Sequence, residues 1–170
     1  KLARAILWED AFIVGAMGSS VTAGHDNCHL DSYESQLGRI FGPVLSSTGA
    51  TLEVRNGGMT GTCGDNHANQ GWCQGHIVGF DADTVHYCWS YFESSKNDPE
   101  FPQRIRESWA RWARLSAGSA VPLFIEADCK AAGDVTERTG VLARNIELAE
   151  MYAHLGANYM CMTRGINGVG

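Results

Sequence analysis

The stretch AFIVGAMGSSVTAG, residues Ala11–Gly24, decides how the rest of the chain is interpreted. Its first half is a short apolar run bounded by glycine, which is typical of a strand buried inside a sheet. Its second half is rich in glycine, serine and threonine, so a serine hydroxyl there has little steric cover. The stretch therefore predicts a strand over Ala11–Met17 that is followed at once by a polar turn beginning at Gly18.

Beyond this stretch, strand-like runs alternate with segments whose apolar residues recur at steps of three and four. Helices are predicted at Tyr33–Val44, Pro99–Leu115 and Leu142–Tyr152, with Gly42-Pro43 bending or ending the first of them. Further strands are predicted at Thr51–Val54, Thr84–Trp89, Val121–Glu126 and Ala157–Met162. This alternation is the pattern of an α/β fold, in which helices cover both faces of a parallel sheet.

Length and charge restrict the possible classes of protein. The chain has 170 residues and a net charge of −6, and no run of lysine and arginine. We therefore expect one domain over residues 1–170 and neither a nucleic acid nor an anionic membrane surface as its main partner. The longest uncharged apolar stretch, Ala11–Thr22, is too short to span a bilayer.

Six cysteines are many for a chain of this size and favour an oxidising, secretory or extracellular location. Cys63 and Cys73 lie in a polar, glycine-rich loop, where a disulfide between them would order a segment that has little apolar material. A competing interpretation is a zinc site, because Cys63, His67, Cys73 and His76 offer four sulfur and nitrogen ligands. Their spacing matches no standard zinc knuckle, so the disulfide is the prediction.

Two glycine-rich segments follow the first two predicted strands. The first is Gly18-Ser19-Ser20-Val21-Thr22-Ala23-Gly24, and the second is Asn56-Gly57-Gly58-Met59-Thr60-Gly61. Together they resemble the SGNH (GDSL-like) hydrolases, serine esterases and lipases with a flavodoxin-like sheet. That family carries G-D-S-x-T-x-G after strand one and N-x-G-x-[ST]-G after strand two. The first block matches except that Ser19 replaces the family's aspartate, and the second block matches fully.

The resemblance implies a three-layer α/β fold with a five-stranded parallel sheet in the order 2-1-3-4-5. It implies an esterase acting on carbohydrate or lipid esters, with Ser20 as nucleophile and no cofactor. The backbone N–H groups of Ser20 and Gly58 would then stabilise the oxyanion. Since ligands bind beyond the carboxyl ends of parallel strands, Ser20 and Gly58 should lie close together at that edge.

The third family block, G-x-N-D, is altered here. The Asn97-Asp98 pair comes several residues later than the family places it. The resemblance implies that Asn97 supplies a third oxyanion donor. A second interpretation is that this pair forms the turn and N-cap of the helix predicted from Pro99.

The fourth family block, D-x-x-H, would supply the general base after strand five, and no such block occurs there. It matches by chance at Asp26–His29, which makes His29 a weak candidate, and at Asp83–His86, where the histidine is expected to be structural. We therefore expect a C-terminally truncated domain whose base lies beyond Gly170. The alternative is a catalytically inactive SGNH-like module that binds a glycan or a protein partner within a larger assembly.

Overall fold

The structure is a computed structural model, and it describes residues 1–20, 22–25, 31–59, 73–88, 101–116, 120–126 and 158–161. At 101–105, 116, 124–126 and 158–161 it describes the backbone alone. The strands are β1 (Ala11–Gly18), β2 (Thr51–Gly58), β3 (Thr84–Cys88), β4 (Val121–Glu126) and β5 (Asn158–Cys161). The helices in this part of the chain are α1 (Leu2–Trp8), α2 (Tyr33–Ser46), α3 (Gln74–Val78) and α4 (Phe101–Ser116).

The five strands form one parallel sheet in the order β2-β1-β3-β4-β5, which confirms the predicted fold and strand order. β1 pairs with β2 along its whole length, so that Gly18 lies beside Gly58. On its other side, Gly18 lies beside Cys88 of β3. Because every strand runs in the same direction, the segments that follow Gly18, Gly58 and Cys88 all leave from the same edge of the sheet.

The two faces of the sheet are covered by different helices, since side chains alternate along each strand. On one face, Ile13 and Met17 of β1 join Tyr87 of β3 and Trp109 of α4 in the main hydrophobic core. On the other face, Phe12 and Val14 of β1 line an apolar groove with Leu37, Phe41 and Leu45 of α2. The turn that follows β1 therefore lies at the carboxyl edge of a sheet whose two faces are both covered by helices.

The amino-terminal edge of the sheet is held by Asp83, whose side chain is buried. Its carboxylate accepts a hydrogen bond from the Ile13 N–H at 3.0 Å, and its own N–H donates to the Ile13 carbonyl at 2.8 Å. Val121 N–H donates to the Asp83 carbonyl at 2.9 Å. Asp83 thus joins β1, β3 and β4 at the edge opposite the one where Gly18 and Gly58 lie.

The predicted end of the helix at Gly42-Pro43 is wrong, because α2 continues past Pro43 to Ser46. Pro43 removes only its own N–H, and its carbonyl still accepts from the Ser47 N–H at 3.1 Å. Two short helices, α1 and α3, were not predicted, because seven and five residues are too few to show helical periodicity. The helix predicted at Leu142–Tyr152 lies outside the described residues.

Trp109 should contribute most to stability among the described tryptophans. Its ring is 2% exposed and packs edge-on against Tyr87, with ring centroids 5.2 Å apart. We expect Trp109→Ala to lower the free energy of unfolding by about 3–5 kcal/mol, since it leaves a large cavity. The matched control is Trp8→Ala, because Trp8 is 78% exposed and should change stability by less than about 0.5 kcal/mol. Urea unfolding of both variants measures the difference, and equal losses would contradict this account of the core.

Candidate active site

Ser20 lies in a compact turn directly after β1, formed by residues 19–20 and 22–25 and called the serine turn below. Two backbone hydrogen bonds wind this turn: Ala23 N–H donates to the Ser19 carbonyl at 3.0 Å, and His25 N–H to the Ser20 carbonyl at 2.9 Å. Ser19 is buried, whereas Ser20 is partly exposed. Within the described residues the Ser20 hydroxyl makes no hydrogen bond, so it is available to a ligand at the sheet edge.

The end of β2 lies against this turn. Met59 N–H donates to the Gly18 carbonyl at 3.0 Å and extends the contact between the strands beyond their last paired residues. A Cβ atom on Gly58 would fall onto the backbone of Thr22 and Ala23, only 2.7 Å from the Thr22 carbonyl carbon. A glycine is therefore required here, and Ser20 and Gly58 lie at the same edge, as predicted. The Gly58 N–H itself donates to Asn56 Oδ1 at 2.8 Å.

Asn56 links three segments, a role that the sequence does not predict. Its amide nitrogen donates to the Thr22 carbonyl at 2.8 Å, and it lies 3.2 Å from Ser32 Oγ, the N-cap of α2. Its side-chain oxygen accepts from Gly58, two residues later. An asparagine two residues before a glycine is a recognisable Asx-turn signal, but the contacts with α2 depend on tertiary structure.

Glu34 is buried beside Asn56. It is the second residue of α2 and is only 2% exposed, and its Oε2 lies 3.3 Å from the Asn56 amide nitrogen. Its other carboxyl oxygen is buried and has no hydrogen-bond partner among the described residues. Burial raises the pKa of Glu34 from 4.5 to about 7. Nothing in the local sequence distinguishes this glutamate from a solvent-exposed residue in a first helical turn.

Tyr33, His86 and Cys88 continue this polar cluster: His86 is buried, Cys88 is half-buried and Tyr33 is 37% exposed. The Tyr33 hydroxyl lies 2.5 Å from His86 Nδ1 and 3.6 Å from Cys88 Sγ. Burial lowers the pKa of His86 to about 4 and raises that of Cys88 to about 12. His86 is therefore neutral near pH 7, and the tautomer of its ring decides whether the Tyr33 hydroxyl or Nδ1 donates in their hydrogen bond. As predicted, His86 is a structural residue inside the fold.

The remaining predicted residues are only partly described. Asn97, Cys63, His29 and His67 lie outside the described residues. Cys73 is a free, exposed thiol at the start of α3, so the structure does not support the predicted Cys63–Cys73 disulfide. No group of three metal-ligating side chains occurs in the part of the chain that the structure describes. His76 instead packs edge-on against Phe80, with ring centroids 5.1 Å apart.

This architecture occurs in solved structures of esterases. A two-domain esterase (CEX) active on acetylated mannans is similar over 95% of this chain, with a TM-score of 0.61 and 16% identity. AlinE4, an esterase of the SGNH-hydrolase family, is similar over 88% of the chain, with a TM-score of 0.56 and 17% identity. The chain has the SGNH-hydrolase fold. It spans 39% of the two-domain esterase and 75% of AlinE4.

At this level of identity the similarity establishes the SGNH-hydrolase fold and leaves activity to be argued from the site. A mutant of AlinE4 has a TM-score of 0.53 at 17% identity, over the same 88% of this chain. No protein-family model matches the sequence, and neither does any curated protein. The functional interpretation therefore depends on the residues around Ser20.

The contact between Gly58 and the serine turn can be tested by adding a methyl group. Gly58→Ala should destabilise the protein by about 1–3 kcal/mol, because the new Cβ meets the backbone of Thr22 and Ala23. Gly42→Ala is the control, since a Cβ there meets nothing within 4 Å and should stabilise α2 by about 0.5–1 kcal/mol. Urea unfolding distinguishes the two, and a neutral Gly58→Ala would show that the turn is not held this closely.

The buried carboxyl of Glu34 should make stability depend on pH. Its pKa is higher in the folded state, about 7 against 4.5, so the folded state binds the proton more tightly. Stability should therefore fall as pH rises from about 4.5 to about 7, by up to about 3 kcal/mol, and then level off. Glu34→Gln should remove this fall, and thus become increasingly more stable than the wild type towards pH 8.

The control for this titration is Glu53→Gln, because the Glu53 side chain is 51% exposed and its charge lies at the surface, paired with Arg55 at 2.7 Å. Unfolding free energies measured between pH 5 and pH 8 should diverge from wild type only for Glu34→Gln. Parallel curves for wild type and Glu34→Gln would contradict the burial of an ionisable carboxyl at this position.

Proposed function

We propose that the chain is a serine ester hydrolase, or part of one, in which Ser20 attacks the ester carbonyl. The observation that carries this proposal is the position of Ser20, partly exposed in a compact turn at the carboxyl edge of an SGNH-type sheet. The end of β2 lies against that turn. A serine presented in this way, with backbone N–H groups nearby, suits acyl transfer.

Attack by Ser20 would place negative charge on the former carbonyl oxygen. We propose the N–H groups of Ser20 and Gly58, together with the Asn97 side chain, as donors to this oxyanion. The Gly58 N–H donates to Asn56 Oδ1 in the absence of substrate. A charged oxygen is a stronger hydrogen-bond acceptor than an amide oxygen. As charge develops, the Gly58 N–H would therefore exchange its hydrogen bond to Asn56 for one to the oxyanion.

Ser20 also needs a general base within about 3 Å, because its hydroxyl is protonated at neutral pH. Two described histidines are occupied elsewhere: His86 is buried against Tyr33, and His76 packs on Phe80. His25 is exposed at the end of the serine turn. We propose that the base comes from outside the described residues, either from His29 or from a histidine beyond Gly170.

The proposed substrates are esters of carbohydrates or lipids. The two-domain esterase of the same fold is active on acetylated mannans, which makes acetylated polysaccharides the first class to test. No helix among the described residues is long and apolar enough to cross a membrane. An extracellular or secretory location fits such a substrate but gains no support from the cysteines, since Cys73 and Cys88 are free thiols.

A second candidate function is glycan or protein binding by a catalytically inactive SGNH-like module. One observation favours it: Ser19 stands in place of the family's aspartate. Ser19 is 1% exposed, so this substitution alters the interior of the turn and not its surface. Dependence of turnover on Ser20 separates the two functions.

We expect residues 1–170 alone to hydrolyse p-nitrophenyl acetate weakly or not at all, because general-base help typically contributes about 10²–10⁴-fold. If the natural polypeptide continues beyond Gly170 to a D-x-x-H segment, the extended protein should be active and Ser20→Ala should abolish that activity. Ser46→Ala is the control, since Ser46 is an exposed serine at the end of α2.

Other outcomes are equally informative. Robust Ser20-dependent turnover by residues 1–170 would contradict a base beyond Gly170 and make His29→Ala the next variant. An extended protein whose turnover does not depend on Ser20 would contradict the hydrolase and favour the binding module, to be tested with acetylated mannan in a pull-down assay.

A further inference from the structure

We propose that Glu34 is a positioning residue for Ser20: its buried carboxyl holds the Asn56 amide and thereby fixes the turn that presents the nucleophile. This inference rests on the proposed function, because it assigns a purpose to Glu34 only if Ser20 reacts. It concerns a residue on α2, outside both motifs that carry the resemblance.

The hydrogen bonds of Asn56 provide the first step. Its amide nitrogen has two N–H groups, and the Thr22 carbonyl at 2.8 Å takes one of them. The other points towards α2, where Ser32 Oγ lies at 3.2 Å and Glu34 Oε2 at 3.3 Å. A flipped amide would direct its oxygen at the carboxyl and carbonyl oxygens. The acceptors on α2 therefore act together with the Thr22 carbonyl and the Gly58 N–H to set which way the amide faces.

The orientation of this amide acts on both halves of the site. Its nitrogen binds the carbonyl of Thr22, two residues after Ser20, and its oxygen binds the N–H of Gly58. An amide that is free to turn would release the serine turn and the proposed oxyanion donor together. Glu34 thus reaches Ser20 through a single side chain, from the rigid first turn of a 14-residue helix.

Helix stability alone does not explain why Glu34 is buried. A carboxylate in the first turn interacts favourably with the helix dipole, but it does so equally well when exposed to water. Burial instead raises the pKa of Glu34, and it leaves Oε1 without a partner among the described residues. Both effects disfavour the folded state, which is typical of a residue retained for a site and not for stability.

The ionisable groups that interact with Glu34 are Tyr33 on the same helix and Cys88 on β3, and His86 lies against Tyr33. Burial raises the pKa of Tyr33 above its usual range and that of Cys88 to about 12, while it lowers the pKa of His86 to about 4. All three are neutral between about pH 5 and pH 9. Glu34 is therefore the member of this described cluster that changes charge in that range.

The test measures amide hydrogen exchange in the serine turn. The reporters are the Ala23 and His25 amides, whose hydrogen bonds wind the turn, and the Asp83 amide at the opposite edge is the internal control. Glu34→Ala should lower the protection factors of both turn amides at least about tenfold and leave that of Asp83 unchanged. Glu34→Gln should recover most of this protection, since its side-chain oxygen still accepts from Asn56. Glu53→Ala is the surface control.

The pH profile separates positioning from packing. Because Glu34 binds its proton more tightly when the turn is closed, protection of the turn amides should fall as pH rises through about 7 in the wild type. The profile should be flat in Glu34→Gln. Equal protection in the wild type and Glu34→Ala, or equal losses in Glu34→Ala and Glu34→Gln, would overturn the proposal.

Chemical reactivity provides the second measurement, on the extended protein if that form is the active one. Glu34→Ala should slow labelling of Ser20 by a fluorophosphonate about 10- to 100-fold, as expected when a nucleophile loses its orientation, and Glu34→Gln should recover most of the rate. If Glu34→Ala does not fold, Asn56→Ala replaces it. Asn56→Ala should then slow labelling by a similar factor, and an unchanged labelling rate would overturn the proposal.

The two proposals can fail separately. If Ser20→Ala leaves hydrolysis unchanged, the proposed function fails, while the exchange data still report whether Glu34 holds the turn. If Ser20→Ala abolishes hydrolysis but Glu34→Ala changes neither turn protection nor labelling, the inference about Glu34 fails alone.

Discussion

The contact between the Gly58 backbone and the peptide joining Thr22 to Ala23 is the constraint on which the candidate site depends. It exists because β1 and β2 pair in register over eight residues, so that both strands end side by side at Gly18 and Gly58. No side chain can occupy the space between them. The main chain of β2 therefore packs directly against one side of the serine turn. This contact determines the conformation of the turn more than the turn's own composition does.

Next to this contact lies a cluster of polar side chains. At neutral pH they carry no charge, except Glu34, which is about half ionised because its pKa is about 7. The Tyr33 hydroxyl satisfies His86 with a hydrogen bond at 2.5 Å, and Asn56 distributes its hydrogen bonds among three segments. A buried network of this kind stabilises a single arrangement when its members are paired, and it is costly where they are not. The unpartnered oxygen of Glu34 is therefore the least favourable point of the cluster.

The fold and the chemistry are separate conclusions. The parallel sheet and its resemblance to solved esterases establish an SGNH-type architecture, and this architecture can support either hydrolysis or binding. Ser20 is partly exposed at the carboxyl edge of the sheet, but exposure does not activate a hydroxyl. The proposed function thus depends on a general base from outside the described residues, whereas the geometry of the turn does not.

The sequence by itself determined the α/β class and the place of Ser20 directly after the first strand, because alternating apolar runs and glycine turns are local signals, whereas the strand order was implied by the resemblance to the SGNH hydrolases. It did not determine the thiol state of Cys73, the continuation of α2 beyond Pro43, or the roles of Asn56 and Glu34. The roles of Asn56 and Glu34 depend on contacts between residues more than 20 positions apart, such as that of Glu34 with Asn56. Only the pairing of β1 with β2 and the packing of α2 bring such residues together, and burial then gives a glutamate in a first helical turn its unusual pKa.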